Sequence, residues 1–443
     1  MKFSKRFLSM LLAVALLLSL TACGGTNSGN GDKESGASSN GKQEDFFASI
    51  PSELKGTTLK YFMWYDGTKE TEGPVMKAFE LESGIKVEVE VGSNSMFQTE
   101  LAAKIATNQA PDVIRMYDSG ISNIKLLQPL ENTGFDFSGD EWDQRLMKDY
   151  SVNGKAYGTN LKNTVYFDAD VLWYNSQTLM DLGVDDPYTL WKKGEWTWDN
   201  LWSICGEFVK QGGNYGACFN PVNAISLSHG VNFIDWDGEK YVNSIADPDR
   251  KSKLITAWTE SITKAQEKLI TPNTWLMGDF ESGRSAFFST SISSGFVKRS
   301  YFERFKETGE LRCVPFPSSH TGDDMIIMSE YSAWGIPQGA ANKEAVPYFL
   351  KYMLNADNYD LDSSFADPTI TDVFKTLRDS DVPRYNNVFD HTLVEADSGL
   401  NVFKMFGKLY NGEVSQINST LGTFIGGIQD SVDKANEQLK TIG

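Results

Sequence analysis

At 443 residues the chain suits two domains or lobes, at roughly 100–200 residues each. Its 41 Lys and Arg stand against 59 Asp and Glu, and the resulting charge of −18 excludes the cationic face that a nucleic-acid binder presents to phosphates. Hydrophobic residues at 40 % supply real cores, 38 glycines and 14 prolines are too few for a fibrous or wholly disordered chain, and four cysteines cannot staple a fold of this size. The three histidines, His229, His320 and His391, lie far apart and argue against a histidine-rich metal site.

Lys2, Lys5 and Arg6 precede an uncharged, mostly apolar stretch from Phe7 to Leu20. That run is shorter than the roughly 20 residues needed to span a bilayer and matches a secretory h-region. Leu20-Thr21-Ala22-Cys23 follows at once and resembles the bacterial lipoprotein box, in which the cysteine receives lipid, palmitate included, and becomes the new N-terminus. An ordinary secreted protein with a chance cysteine is the competing reading. Removal of 1–22 takes away three cations and no acid, shifting the charge from −18 to −21 over the remaining 421 residues. No later apolar run is long enough to cross a membrane, so the body is expected outside the cytoplasm, held by lipid on Cys23. Fourteen of the 22 residues from Gly24 to Asp45 are Gly, Ser, Asn or Thr, and 23–50 reads as a lipidated cysteine and flexible tether. Its r.m.s. reach is about 25 Å.

Thr57–Trp64, rich in β-branched and aromatic residues, predicts a strand. Val75, Met76 and Phe79 recur at helical spacing before a stop at Gly84. Ile85–Val91 alternates apolar and charged residues, as a half-buried strand does; Ser95 is placed to cap a helix bearing Phe97, Leu101 and Ile105. Pro111–Met116 completes a strand–helix–strand–helix–strand run, which implies a parallel sheet with ligands beyond the carboxyl ends of its strands. Those ends carry Trp64, Tyr65 and Asp66 on the first strand and Tyr117 and Asp118 on the third. The second ends in Gly92-Ser93-Asn94, small enough to leave room for something bulky. Further on, 231–236 and 239–242 flank Asp237-Gly238 as a hairpin. Asn342 is expected to cap a helix with Pro347 near its start, and the end from Val414 reads as helix interrupted by Gly422, Gly426 and Gly427.

Catalytic signatures are mostly missing: there is no GxSxG, HExxH, P-loop or EF-hand, and no cofactor or metal is expected. Asp235-Trp236-Asp237-Gly238 is a turn rather than a calcium loop. Cys205, Cys218 and Cys313 are an odd set, so at least one is unpaired within the chain, and Cys205 with Cys218 is the pair that neighbouring segments would join. Asp66 facing Asp118 leaves open a glycosidase-type carboxylate pair. The positive signal is aromatic: eleven tryptophans and seventeen tyrosines. Such rings match the apolar face of a sugar, while Asp, Asn, Glu, Gln and Arg match its hydroxyl rim. About two thirds of the tryptophans are expected in cores, Trp198, Trp202 and Trp258 among them.

Several stretches resemble the family 1 extracellular solute-binding lipoproteins of ABC importers, the carbohydrate-binding group that includes maltose-binding proteins. They are Gln109–Val113 ("small-x-PDV"), Tyr150–Gly158 ("NGKxYG"), Val171–Asn175 ("xxYN"), Gly194–Asp199 with Thr197 as N-cap, Phe280–Phe287 ("FxxGKAAM") and Gly335–Ala340 ("GIPKGA"). Arg284 stands where a lysine is commoner and is expected to serve structure. The tryptophan that follows "FxxGKAAM" in the family is replaced by Ser289–Ser294. The resemblance implies an α/β, two-lobed periplasmic-binding-protein-like fold of type II, with 57–160 plus 323–360 in one lobe and 161–322 plus 361–443 in the other. It also implies hinge closure on a carbohydrate, most simply an oligosaccharide, and recognition of the closed monomer by membrane permease subunits. The ligand-binding residues it points to are Trp64, Tyr65, Asp66, Asp118, Tyr174, Trp236, Tyr331 and Trp334, with no catalysis. A surface glycoside hydrolase, or a solute-binding protein for a peptide, is the alternative.

Overall fold

The computed structural model describes residues 44–116, 124–219, 221–237, 239–271, 277–296, 302–305, 310–317, 327–328, 333–380, 382, 384–385 and 414–442. Cys23, Asp118 and Tyr331, and the tether up to residue 43, lie outside them. The chain divides into two compact units, Met1–Ser49 and Ile50–Gly443. In the first, 44–48 are helical, with the Phe46 and Phe47 rings edge to face at 5.0 Å.

The second unit begins with strand β1 (Thr58–Met63), helix α1 (Glu72–Ser83), β2 (Lys86–Val91), helix α2 (Phe97–Ala106) and β3 (Val113–Met116). Both β2 and β3 pair with β1 in parallel, as the alternation of elements requires. Leu59, Tyr61, Phe62 and Met63 are all buried, the mark of a central strand covered on both faces. Gly84, at φ 73°, ends α1 in the left-handed conformation that favours glycine. Ser95 does not cap α2: it lies in a single 3-10 turn, Asn94–Met96, and its hydroxyl meets that of Ser93. The room foreseen at Gly92 is taken by the Phe62 ring, whose Cζ would lie 2.4 Å from an added Cβ. Later segments complete this six-stranded sheet: β4 (Leu127–Gln128), β5 (Gly158–Thr159) and, far along the chain, the buried strand Ala333–Pro337, antiparallel to β3. Asp112 of the PDV segment, 1 % exposed, accepts from the Lys60 N–H (2.9 Å) and the Asn342 N–H (2.7 Å), so Asn342 serves this knot instead of a helix cap. A 3-10 turn, Lys343–Ala345, intervenes, and the helix Val346–Met353 starts with Pro347 in its first turn.

A second, four-stranded sheet orders Leu311–Val314, Asp170–Asn175, Ser285–Ser291 and Tyr215–Cys218. Its core holds Leu172, Tyr174, Trp198, Leu201, Trp202, Phe219 and Phe287. Thr197 caps the helix Trp198–Lys210 by accepting from the Asn200 N–H. Arg284 donates Nε–H to Asp279 (2.9 Å), a contact inside its own turn. Cys205, Cys218 and Cys313 are buried, and the Cys205 and Cys313 thiols are free and pushed upward in pKa by burial.

The chain leaves the first sheet after Thr159 and enters the second at Asp170. This crossing lies beside the one that follows Met353: the Val165 N–H donates to the Leu354 carbonyl, the Ala356 N–H to Asn163, and Thr164 bridges Asn355. These adjacent extended segments connect the two sheets.

The final helix, Ile417–Leu439, runs through its glycines without a break. Its stripe of Leu421, Phe424, Ile428, Val432, Ala435 and Leu439 is buried, which offsets the roughly 1 kcal/mol that each glycine costs a helix. The stripe belongs to one apolar cluster with Phe62, Ile114 and Tyr150 of the first lobe and with Phe233 and Trp258 from the segment between the second sheet's strands. Asn436 pairs with both backbone polar groups of Tyr241, and the Ile442 carbonyl accepts from Asn153 (2.9 Å). The end of the chain, expected wholly with 161–322, thus packs on both parts.

Candidate functional site

The carboxyl end of β1 delivers Trp64, Tyr65 and Asp66, and the neighbouring β3 delivers Arg115. The Arg115 guanidinium lies 5.0 Å from the Trp64 ring, 4.9 Å from Tyr166, 5.5 Å from Trp334 and 5.9 Å from Tyr65. Its Nη1 donates to the Tyr65 hydroxyl (2.9 Å), which in turn donates to Glu72 Oε1 (2.6 Å). Glu72, 2 % exposed, opens helix α1, where the positive end of the helix favours a carboxylate. Beyond Arg115 a cavity of about 20 Å³ is lined by Glu72, Tyr166, Asp168, Ser293 and Tyr359 as well. It holds about one water-sized group.

Asp168, on the first crossing, accepts from the Ser293 hydroxyl (2.8 Å) and N–H (3.3 Å). Burial raises its carboxyl pKa, against hydrogen bonds from Ser291 and Ser293 and the charge of Arg115. Tyr166 is pushed far up, by burial first and by Glu72 next, and its hydroxyl is held on Met353 Sδ. A line of polar groups therefore runs from the first lobe (Glu72, Tyr65, Arg115) through the crossing (Asp168) to Ser293, just after the strand Ser285–Ser291. It pairs aromatic faces with directed donors and acceptors around a space for one water-sized group.

Of the residues expected here, the structure brings Trp64, Tyr65 and Trp334 together around Arg115. Trp64 is half-buried and stands edge-on to Tyr65 and Phe97. Trp236, also half-buried, packs on the same apolar cluster as Trp64 and lies 4.8 Å from Tyr241. Two of the expected rings offer no open face. Trp334 is fully buried, with its indole N–H on the Tyr61 hydroxyl (2.8 Å). Tyr174 is fully buried in the central strand of the second sheet, its hydroxyl on Asp186 (2.7 Å), because an inward position of a strand covered on both faces points into the core. Asp66 turns back on its own loop: it accepts from the Thr68 hydroxyl (2.6 Å) and pairs with Lys69 (2.7 Å), which holds its carboxyl below the usual range. Asp237 accepts from the Glu239 and Lys240 N–H groups, the turn foreseen there. Among the described residues no cluster of three or more His, Cys, Asp or Glu is arranged to hold a metal.

Sequence reasoning passed over Arg115, Glu72, Tyr166, Asp168 and Ser293. One signal was available: an arginine in the otherwise apolar strand Val113-Ile114-Arg115-Met116 has to be stabilised by something specific.

Solved structures share this architecture. The GacH receptor of Streptomyces glaucescens, solved unliganded and with acarbose, is 16 % identical with a TM-score of 0.60, over 87 % of this chain and 98 % of that one. The cyclic α-maltosyl-1,6-maltose binding protein of Arthrobacter globiformis is 13 % identical with a TM-score of 0.62, over 87 % and 99 %. An extracellular solute-binding protein of Staphylococcus aureus, solved with maltose, is 12 % identical with a TM-score of 0.59, over 87 % and 98 %. No curated protein sequence matches the chain. Residues 66–360 match the family model for bacterial extracellular solute-binding proteins, and the chain belongs to that family.

Proposed function

We propose that this protein captures an oligosaccharide outside the cytoplasm and presents it to the permease of an ABC transporter, altering no bond in the ligand. The observation that carries the reading is the group of rings at the carboxyl end of the first sheet, Trp64 and Tyr65 backed by Arg115, beside the polar line that reaches Ser293. The sugar-binding names of the structural relatives support it. Trp64, Tyr65 and Trp236 meet the sugar rings, and Asp118 and Tyr331 are further candidates for ligand contact. The lobes take 57–160 with 323–360 and 161–322 with 361–443, the final helix spanning both. Cys23 carries the lipid and the segment to residue 50 tethers the body, which works as a monomer.

The test is a thermal-shift screen of the tether-free body against maltose, maltotetraose, cyclic glucans, xylo-oligosaccharides and peptides. A ligand bound only by the folded state raises the melting temperature by mass action. A shift with one glycan class, lost in Trp64→Ala, is expected. Flat curves with every glycan and a shift with peptides would overturn the proposal, as would turnover of a bound glycan.

A further inference from the structure

We propose that Arg115 is a positioning residue: its caged guanidinium fixes the Trp64 and Tyr65 rings as a ligand platform without itself having to touch the ligand. The role rests on the sugar-binding reading above, while the placement of the ring does not. Arg115 lies on β3, whose neighbours are β1 and the strand Ala333–Pro337, and it is the direct register partner of Trp334. Bringing a cation into such a position costs several kcal/mol of desolvation, so an apolar residue is the cheaper filler there. Four rings from three separate segments, 64–65, 166 and 334, surround the guanidinium at 4.9–5.9 Å.

A planar guanidinium stacks on several rings while its edge donates hydrogen bonds; a lysine ammonium is a hydrated point charge and does neither in the same geometry. The edge here donates to Tyr65, whose hydroxyl is handed on to Glu72. Trp64, by contrast, is only half-buried, and Tyr65 and Phe97 stand edge-on to it at 5.8 and 6.0 Å. The arginine supplies a face contact that favours one orientation of the indole. Asp168, on the crossing and held by Ser293, lines the same small cavity as Arg115.

The experiment isolates Trp64 by difference. Fluorescence of each protein minus its Trp64→Phe counterpart is followed under acrylamide quenching in the parent, Arg115→Lys and Arg115→Met backgrounds, with no ligand present. Loss of the cage exposes the indole, and the quenching constant of Trp64 is expected to at least double in both variants. Lysine should fail to rescue it, although it would restore a requirement for charge alone. Unchanged quenching in Arg115→Lys overturns the proposal, and that variant decides the matter if Arg115→Met does not fold. In a second arm, titration with maltotetraose, or with whichever glycan shifts the parent's melting temperature, should weaken about tenfold in either variant, equivalent to about 1.4 kcal/mol. The double variant Trp64→Phe/Arg115→Lys should lose less than the two single losses combined, with Tyr65 still dependent on the arginine; fully additive losses would refute positioning through Trp64. If the parent binds no glycan, the functional reading fails while the quenching result still stands.

Discussion

Asp149 links protonation to stability. It ends the helix Gln144–Asp149, where the helix dipole is already negative. Burial, then the Asp143 carboxylate, push its pKa from the ordinary 3.8 to about 6, against the lowering charges of Lys148 and Arg145. The Tyr241 hydroxyl, itself buried, faces the same charge. Between pH 3.8 and about 6 the native chain keeps a proton that the unfolded chain has released. Stability from this group is thus complete below the unfolded value and is lost as pH rises through the folded one. The loss amounts to about 3 kcal/mol above pH 7, at 1.36 kcal/mol per unit. Asp149→Asn removes the titration while keeping the shape. Urea unfolding of the two proteins should coincide near pH 4 and diverge by about 3 kcal/mol in favour of the variant at pH 7.5. A difference that did not vary with pH, or a parent more stable at pH 7.5, would refute the reasoning.

Tyr174→Phe removes a hydroxyl that donates to Asp186 in the core, and should lower stability by about 1.5–3 kcal/mol in denaturant titration while leaving glycan affinity unchanged. Gly73→Ala places a Cβ 2.2 Å from the Thr68 carbonyl oxygen, so the turn between Tyr65 and Glu72 has to move; a lower melting temperature together with weakened glycan binding is expected by calorimetry. Gly295→Ala drives a methyl to 2.2 Å from the Trp173 ring and should destabilise the second lobe by about 1–3 kcal/mol, read as an earlier urea midpoint. Trp236→Ala should weaken oligosaccharides more than a single sugar in calorimetric titration, because one stacking face is lost from an extended site.

The parallel β1–β2–β3 core was legible because its alternation and strand ends are local signals: Lys86–Val91 carries its polarity pattern in six residues, and Gly84 its own stop. The Asp237 turn and the Thr197 cap were legible for the same reason. Long-range packing was not. Nothing beside Gly92 reveals that Phe62 fills its space, and nothing beside Asn342 reveals that Asp112 claims it. The glycines of Ile417–Leu439 read locally as breaks, yet the stripe between them is stabilised by partners at Phe233 and Trp258. In the site, ring-bearing strand ends were visible, whereas the choice between an exposed and a buried ring depended on neighbouring strands, which separates Trp64 from Tyr174. The polar line through Asp168 depends on a crossing meeting Ser293 more than a hundred residues later, a meeting with no local trace.

The closing helix also makes the last stretch of the chain a structural requirement. Its Phe424 ring meets Phe233 and Trp258, its Asn436 closes on Tyr241, and the apolar cluster they share extends to Phe62 and Ile114. Such sequence-distant docking is slow to nucleate, so this part of the core is expected to close late in folding. A nonsense codon ahead of residue 417 would accordingly deliver a molecule with its greasy seam open, fit for degradation rather than service.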